Sequence, residues 1–324
     1  MKPFLLLPLL FIASISIAQK KILSISFLKN DGKYVNSKDS ADYFRLVSEP
    51  DSGSVLFNVA EYYKDGNKKL LGKTTKIDPV VFDEQCVTFY KSGKRQKMTT
   101  YKKGIKAGLE YDFFPNGKPY LELEYPDNDS PKNSFTDNYL IQANFDSLGT
   151  VLVENGNGFY KGYDADYKFI SEEGNVKNGR KDGVWKGSFD KNKAHFTENY
   201  VNGDLIDGNA TFEDGTSTVY AKNRGVPPQF KGGLDAFYKY LGQNIDYPDD
   251  ARANNIQGTV ILEFVIEKNG KLTEINVKRS VNRLIDNEAV RVMKKCPLWL
   301  PGTQYGRPVR VLYSVPVSFS LSEN

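Results

Sequence analysis

The chain has 324 residues, of which 40% are hydrophobic and 26% charged, enough to build two domains with cores of their own and unlike either a disordered or a membrane-embedded chain. Its 44 basic and 40 acidic residues leave a net charge of +4 spread along the chain, which excludes a nucleic-acid footprint. Twenty Tyr, twenty Phe and 27 Gly against 3 Met and 2 Trp point to many short strands joined by tight turns.

Lys2, the apolar run Phe4 to Ile17, and the small residues Ser16 and Ala18 ahead of Gln19 form a signal-peptide pattern. The run is short for a membrane span, which needs roughly 20 residues. The expected outcome is cleavage and export; an uncleaved inner-membrane anchor is the alternative. Ile22 to Tyr34, with Asn30-Asp31-Gly32 between, reads as a hairpin.

A short unit then recurs: Tyr62-Tyr63-Lys64-Asp65-Gly66, Phe89-Tyr90-Lys91-Ser92-Gly93 and Phe113-Phe114-Pro115-Asn116-Gly117, with a weaker copy at Phe212-Glu213-Asp214-Gly215. Gly104-Ile105-Lys106-Ala107-Gly108 and Gly179-Arg180-Lys181-Asp182-Gly183 add a second glycine pattern. Glycine supplies positive φ at the turn and the aromatics pack across strands, so each unit is a β-hairpin and several together bury one sheet face. The copies resemble MORN-type repeats, in which an aromatic precedes an Asn-Gly-Lys turn, over about residues 55–125 and again from about 172 to 220. Residues 126–171 fit the pattern poorly, and Pro126 to Pro131 reads as a loop. Two roles stand open for the repeats: a scaffold, or a binding face of exposed tyrosines that takes peptidoglycan or a second copy.

Cys86 and Cys296 lie far apart and read as small buried apolar residues, with a disulfide permitted by an oxidising compartment. His195 is the single histidine, on a charged hairpin segment, and the carboxylates are scattered. Neither nucleophilic nor metal chemistry has the residues it needs, so no enzyme activity, cofactor or small-molecule substrate is expected.

Arg224-Gly225-Val226-Pro227-Pro228-Gln229-Phe230 disfavours helix and central strand and reads as a stiff linker. Beyond it the period changes. Leu234, Phe237, Tyr238 and Leu241 keep helical spacing; Pro248 suits the first position of a short helix; Thr259 to Glu267 and Leu272 to Arg279 flank a Lys-Asn-Gly-Lys turn. A second helix starts near Asn282 with Ile285, Ala289, Val292, Met293 and Cys296 on one face, and Pro297 ends it. Val309 to Leu321 then alternates as a strand, interrupted by Pro316, which is tolerated only at a sheet edge. The expected fold is a mostly β region of antiparallel hairpin repeats followed by a small α+β domain with a three-stranded sheet and two main helices. Residues 1–18 are the signal peptide, 19–223 the repeats, 224–230 the linker and 231–324 the C-terminal domain.

Tyr247-Pro248, Ala251-Arg252, Gly258, Val260, Phe264, Asn269-Gly270, Asp286, the Lys294 to Pro301 helix exit, Gly306 and Pro316-Val317 resemble the C-terminal domain of the TonB family. Phe230-Lys231-Gly232-Gly233 resembles its Bacteroidetes-type members. The resemblance implies binding by strand addition to a TonB-box-like segment of an outer-membrane receptor, or to another envelope protein, with homodimerisation through the last strand as a second use of the same edge. Carried over, the partner-strand edge is Val309, Arg310, Val311, Leu312, Tyr313, Ser314 and Val315, and the receptor-contact segment is Asp246, Tyr247, Pro248 and Arg252. Asp246 departs from the amide of the best-known members. The N-terminal segment lacks the membrane histidine of the energy transducers, and hairpin repeats stand in place of their Pro-rich spacer.

Overall fold

A computed structural model describes residues 20–126 and 139–321; the expected signal peptide, and the loop from 127 to 131, lie outside the described residues. The chain divides into two compact units, residues 1–158 and 159–324.

The first unit carries β1 (Ile22–Leu28), β2 (Tyr34–Val35), β3 (Tyr43–Ser48), β4 (Phe57–Tyr63), β5 (Lys68–Thr74), β6 (Phe82–Phe89), β7 (Arg95–Lys102), β8 (Ile105–Phe113), β9 (Pro119–Tyr125), β10 (Leu140–Phe145) and β11 (Val151–Glu154). From β3 to β11 each strand pairs antiparallel with the next, and β1 pairs with both β2 and β3, so the expected N-terminal hairpin is present.

The aromatic–glycine units are one turn used repeatedly. The Gly66, Gly93 and Gly117 N–H groups donate to the carbonyls of Tyr63, Tyr90 and Phe114, whose own N–H groups donate to Asn67, Lys94 and Lys118. Each glycine has φ between 81° and 89°, a conformation that a Cβ disfavours. Asp146 and Gly149 make the same pair of bonds with Thr150. The weakly matching stretch therefore holds another copy in which Asp146 replaces the aromatic, its carboxylate accepting from Leu148 and Thr150 N–H. Neighbouring turns are stapled: the Tyr63 hydroxyl donates to the Phe89 carbonyl at 2.9 Å and the Tyr90 hydroxyl to the Phe113 carbonyl at 2.6 Å.

Buried carboxylates, unannounced by the pattern, lie in this sheet. Glu61 receives Arg45 at 2.6 Å and Lys69 at 2.8 Å; Glu110 receives Lys106 at 2.6 Å, Lys97 at 2.9 Å and the Thr99 hydroxyl at 2.8 Å. Cross-strand register places Arg45 opposite Glu61, and Lys69 reaches it from the strand on the other side, so this carboxylate enters the interior with its cations in reach. Cys86 is buried nearby and its thiol is pushed up to about 12 by desolvation, the behaviour of a structural thiol.

In the second unit β12 (Asn157–Tyr163) precedes β13 (Ile170–Lys177), β14 (Arg180–Phe189), β15 (Ala194–Val201), β16 (Asp204–Thr211) and β17 (Ser217–Ala221). Strands β13 to β17 pair in sequence. Trp185 is fully buried between the rings of Tyr160 and Tyr200, with Lys181 Nζ 4.3 Å from its ring centre. Glu198 is fully buried and held by Arg224, Tyr200 and Tyr220.

The chain continues through β18 (Gly225–Val226), α1 (Gly233–Asn244), α2 (Asp249–Ala253), β19 (Gly258–Ile266), β20 (Leu272–Arg279), α3 (Arg283–Lys294), β21 (Thr303–Gln304), β22 (Arg307–Pro308) and β23 (Val311–Phe319). The C-terminal part has the expected three-stranded sheet, in the order β20-β19-β23. Asn282 caps α3 by accepting from the Leu284 N–H at 2.9 Å. Pro248 stands one position before α2, as its cap. The last strand, Val311–Phe319, is shorter than the Val309 to Leu321 alternation, because Val309 is tied to the Gly302 carbonyl and Arg310 to Glu267 and Glu274. Phe237, Leu262, Phe264, Ile285, Val292 and Met293 form the centre of the core, and Trp299 joins Phe230, Phe237, Phe264 and Tyr313 at ring distances of 5.2 to 6.0 Å.

Candidate partner-strand edge

Strand β23 lies at the margin of the sheet. It pairs with β19 through nine consecutive partners, from Val311↔Ile266 to Phe319↔Gly258, without a register shift. Among the described residues no strand pairs with its other side. The alternation that marks it in the sequence sorts its side chains: Val315, Val317 and Phe319 are buried, while Leu312, Ser314, Pro316 and Ser318 face solvent. Leu312 is 64% exposed, a large apolar side chain on an open edge.

Pro316 sits opposite Ile261 within the ladder. Having no N–H, it is accommodated where its nitrogen turns away from β19. Because main-chain groups alternate sides along a strand, Leu312 and Ser314 share its orientation and direct their N–H and C=O groups to the open side. Two contacts fit this assignment. The Ser314 hydroxyl reaches the Leu262 carbonyl at 3.1 Å, placing that carbonyl on the side facing β23, and the Thr259 and Ser318 hydroxyls meet at 3.0 Å across a closely spaced pair.

Of the seven residues assigned to the edge, Val311 to Val315 lie in the strand, whereas Val309 and Arg310 precede it. The Val309 N–H is occupied by the Gly302 carbonyl at 2.9 Å. Arg310 lays its guanidinium across the sheet end, with Glu267 at 2.9 Å and Glu274 at 2.6 Å. Hydrogen bonds from Arg310 and then Thr273 hold the Glu267 carboxyl below its usual range.

The second group of residues is a separate, well-anchored corner. The Tyr247 hydroxyl donates to the Ile256 carbonyl at 2.5 Å, its ring meets Phe319 edge-on at 5.7 Å, and Arg252 lies 5.8 Å from the ring centre. The Asp246 side chain is 91% exposed, while its N–H donates to buried Glu288 at 2.7 Å. Burial works against ionisation of Glu288, but the Arg291 guanidinium and the Asp246 N–H keep its carboxyl below the usual range. Tyr247 thus touches the C-terminal end of β23, and Val311 to Val315 occupy its N-terminal half. Pro316 stands between the two.

A small α+β domain whose three-stranded sheet ends in β20 on one side and in the solvent-facing last strand β23 on the other is the class that fold and geometry define. Residues 243–321 match the family model described as Gram-negative bacterial TonB protein C-terminal. Two curated relatives, the proteins named Protein TonB from Helicobacter pylori strains 26695 and J99, are each 27% identical over 120 residues, which is 36% of this chain. The chain spans about two fifths of the length of these relatives, 39% and 40%. The NMR solution structure of the Helicobacter pylori TonB C-terminal domain is 22% identical, over 28% of this chain and 82% of that one, with a TM-score of 0.23. Among the described residues no group of three or more His, Cys, Asp or Glu is placed to hold a metal ion, and no helix is long and apolar enough to cross a membrane.

Proposed function

We propose that the C-terminal domain takes up an extended peptide, a TonB-box-like segment of an outer-membrane receptor, as an added strand on β23. The chain then acts as an exported, non-enzymatic protein of the periplasm and cell envelope, linked to TonB-dependent transport. The observation that carries this reading is the open side of β23, with main-chain groups of Leu312 and Ser314 turned outward beside an exposed leucine. Strand addition needs such an edge, and affinity comes from main-chain hydrogen bonds. The Tyr247 corner supplies a second contact at the far end of the strand.

The test is a titration of the full chain, by fluorescence anisotropy, with labelled peptides from the plug segments of the outer-membrane receptors encoded in the same genome. Saturable binding by at least one peptide, weakened when Leu312 or Ser314 is replaced by proline, is the expected result. Absence of binding across the whole set would overturn the reading.

A second reading is favoured by the match to proteins named TonB: an inner-membrane-anchored energy transducer that keeps its N-terminal segment. Mass spectrometry of the N-terminus separates the two. A chain beginning at Gln19 or Lys20 removes the anchor, and an intact Met1 in the inner-membrane fraction removes the exported, free form.

A further inference from the structure

Two connections join the TonB-like domain to the last hairpins of the repeat region. One is the chain itself through residues 224–230. The other is the β21–β22 hairpin, which projects from the C-terminal domain with Tyr305 at its tip.

A tyrosine in a Gln-Tyr-Gly tip ordinarily faces water, but Tyr305 is only 8% exposed. Its ring stacks on Phe189 at 4.0 Å with an interplanar angle of 10°, and Phe196 and Tyr220 close in at 5.8 and 5.6 Å. Its main chain is gripped as well: the N–H donates to the Arg224 carbonyl at 2.5 Å, and the carbonyl accepts from the Thr218 hydroxyl at 2.5 Å. Gln304 and Thr303 pair with Gly225 and Val226, making a three-stranded patch out of both partners. Arg307 forms an ion pair with Asp214 and covers the Phe212 ring at 4.5 Å. At Gly306, with φ of 75°, an added Cβ would lie 2.5 Å from the Val219 carbonyl oxygen, so the backbone approach there depends on glycine. Beneath the plug, Arg224 bridges Glu198 at 2.6 Å and Glu172 at 3.1 Å.

The same hairpin leads directly into the edge strand. Pro308 ends β22, Val309 is tied back to Gly302, and β23 begins at Val311.

We propose that the 303–308 hairpin is a positioning element for the strand-receiving edge: it plugs the C-terminal domain into the final repeat hairpins, so that β13–β17 and the start of β23 behave as one body. The functional half rests on the reading of β23 as the receiving edge. A captured strand is then held to the repeats through the plugged hairpin as well as through residues 224–230. The last repeats are thereby part of the binding module.

The test compares Tyr305→Ala with Tyr305→Phe in the full chain, by hydrogen-exchange mass spectrometry and limited trypsin digestion, with no ligand required. In the alanine variant, segments 217–226 and 303–315 should exchange roughly tenfold faster or more, while α3 and β20 keep their protection, as expected when one local unit opens. Cleavage after Arg224 should accelerate in parallel. The phenylalanine variant retains the stack and should behave like the native chain. Unchanged exchange at 217–226 in the alanine variant overturns the plug. Faster exchange at 217–226 and 303–308 with none at 311–315 overturns the positioning role, and a uniform loss of protection in α3 and β20 reduces Tyr305 to an ordinary core residue. Failure of every receptor peptide to bind the native chain would strike the proposed function and leave these exchange results standing.

Discussion

Replacing Ser314 by proline separates the two sides of β23. Pro316 already shows that this orientation tolerates a missing donor within a ladder of nine pairs. Position 314 shares that orientation, so Ser314→Pro leaves the main-chain bonds to β19 in place. It forfeits only the side-chain contact to the Leu262 carbonyl, worth about 0.5–1.5 kcal/mol. On the open side it removes one of the outward donors at 312 and 314 and leaves a carbonyl of the incoming strand unpaired. Such a loss costs about 1–3 kcal/mol, which is about 5- to 150-fold in affinity. Val315→Pro is the matched control: Val315 faces the core and bonds toward β19, so the same change there removes a ladder hydrogen bond and leaves a buried carbonyl unpaired, costing about 1–3 kcal/mol of stability before the lost packing is added. Urea unfolding followed by near-ultraviolet circular dichroism reads the stability, and peptide anisotropy reads the affinity. Equal binding by Ser314→Pro and the native chain would refute the open-edge assignment. Equal destabilisation by the two prolines would refute the orientation.

The other predictions concern the supports of this edge. Asp214 is held down to about 2 from an ordinary 3.8, chiefly by Thr216 hydroxyl and N–H donors and then by Arg307. Glu172 is also lowered, its burial outweighed by Lys181 and Arg224. Both carboxyls are depressed by folding, so their support is complete above the ordinary carboxylate range and fades as pH falls from 4.5 toward about 2. Exchange of segment 303–308, corrected for intrinsic rates, should rise over that interval, and a flat profile would contradict the account. Glu198→Ala strands Arg224 without its main counter-charge and should destabilise the second unit by roughly 3–5 kcal/mol, read as a shift in its urea midpoint. Gly270→Ala forces a residue at φ 82° to place Cβ 1.9 Å from the Trp299 carbonyl oxygen. Backbone strain alone costs about 1–3 kcal/mol there, and an unchanged midpoint would be the wrong result.

The edge was legible because its signal is local. Period-two alternation from Val309 to Leu321 set which residues face the core, and a proline within it implied a margin of the sheet, which is where β23 lies. The starting point of the strand was not legible. Val309 and Arg310 continue the pattern, yet the Gly302 carbonyl and the carboxylates of Glu267 and Glu274 claim them first. The turn at Asp146 to Gly149 escaped notice because only the first aromatic of the unit, Phe145, is kept and a side-chain carboxylate stands in the place of the second.

Sequence alone determined the elements whose cause lies within a few residues: the aromatic–glycine turns, the start of α3 near Asn282, the helical stripe of Ile285, Ala289 and Val292, and the two faces of β23. Tertiary structure decided which charges go inside and what the hairpin tips touch. Glu61, Glu110 and Glu198 go inside because the folded sheet brings cations beside them. Tyr305 is buried because Phe189, more than a hundred positions earlier, supplies its stacking partner. Burial of a charge or a ring depends on neighbours brought together only by the assembled sheet, and no local period encodes them.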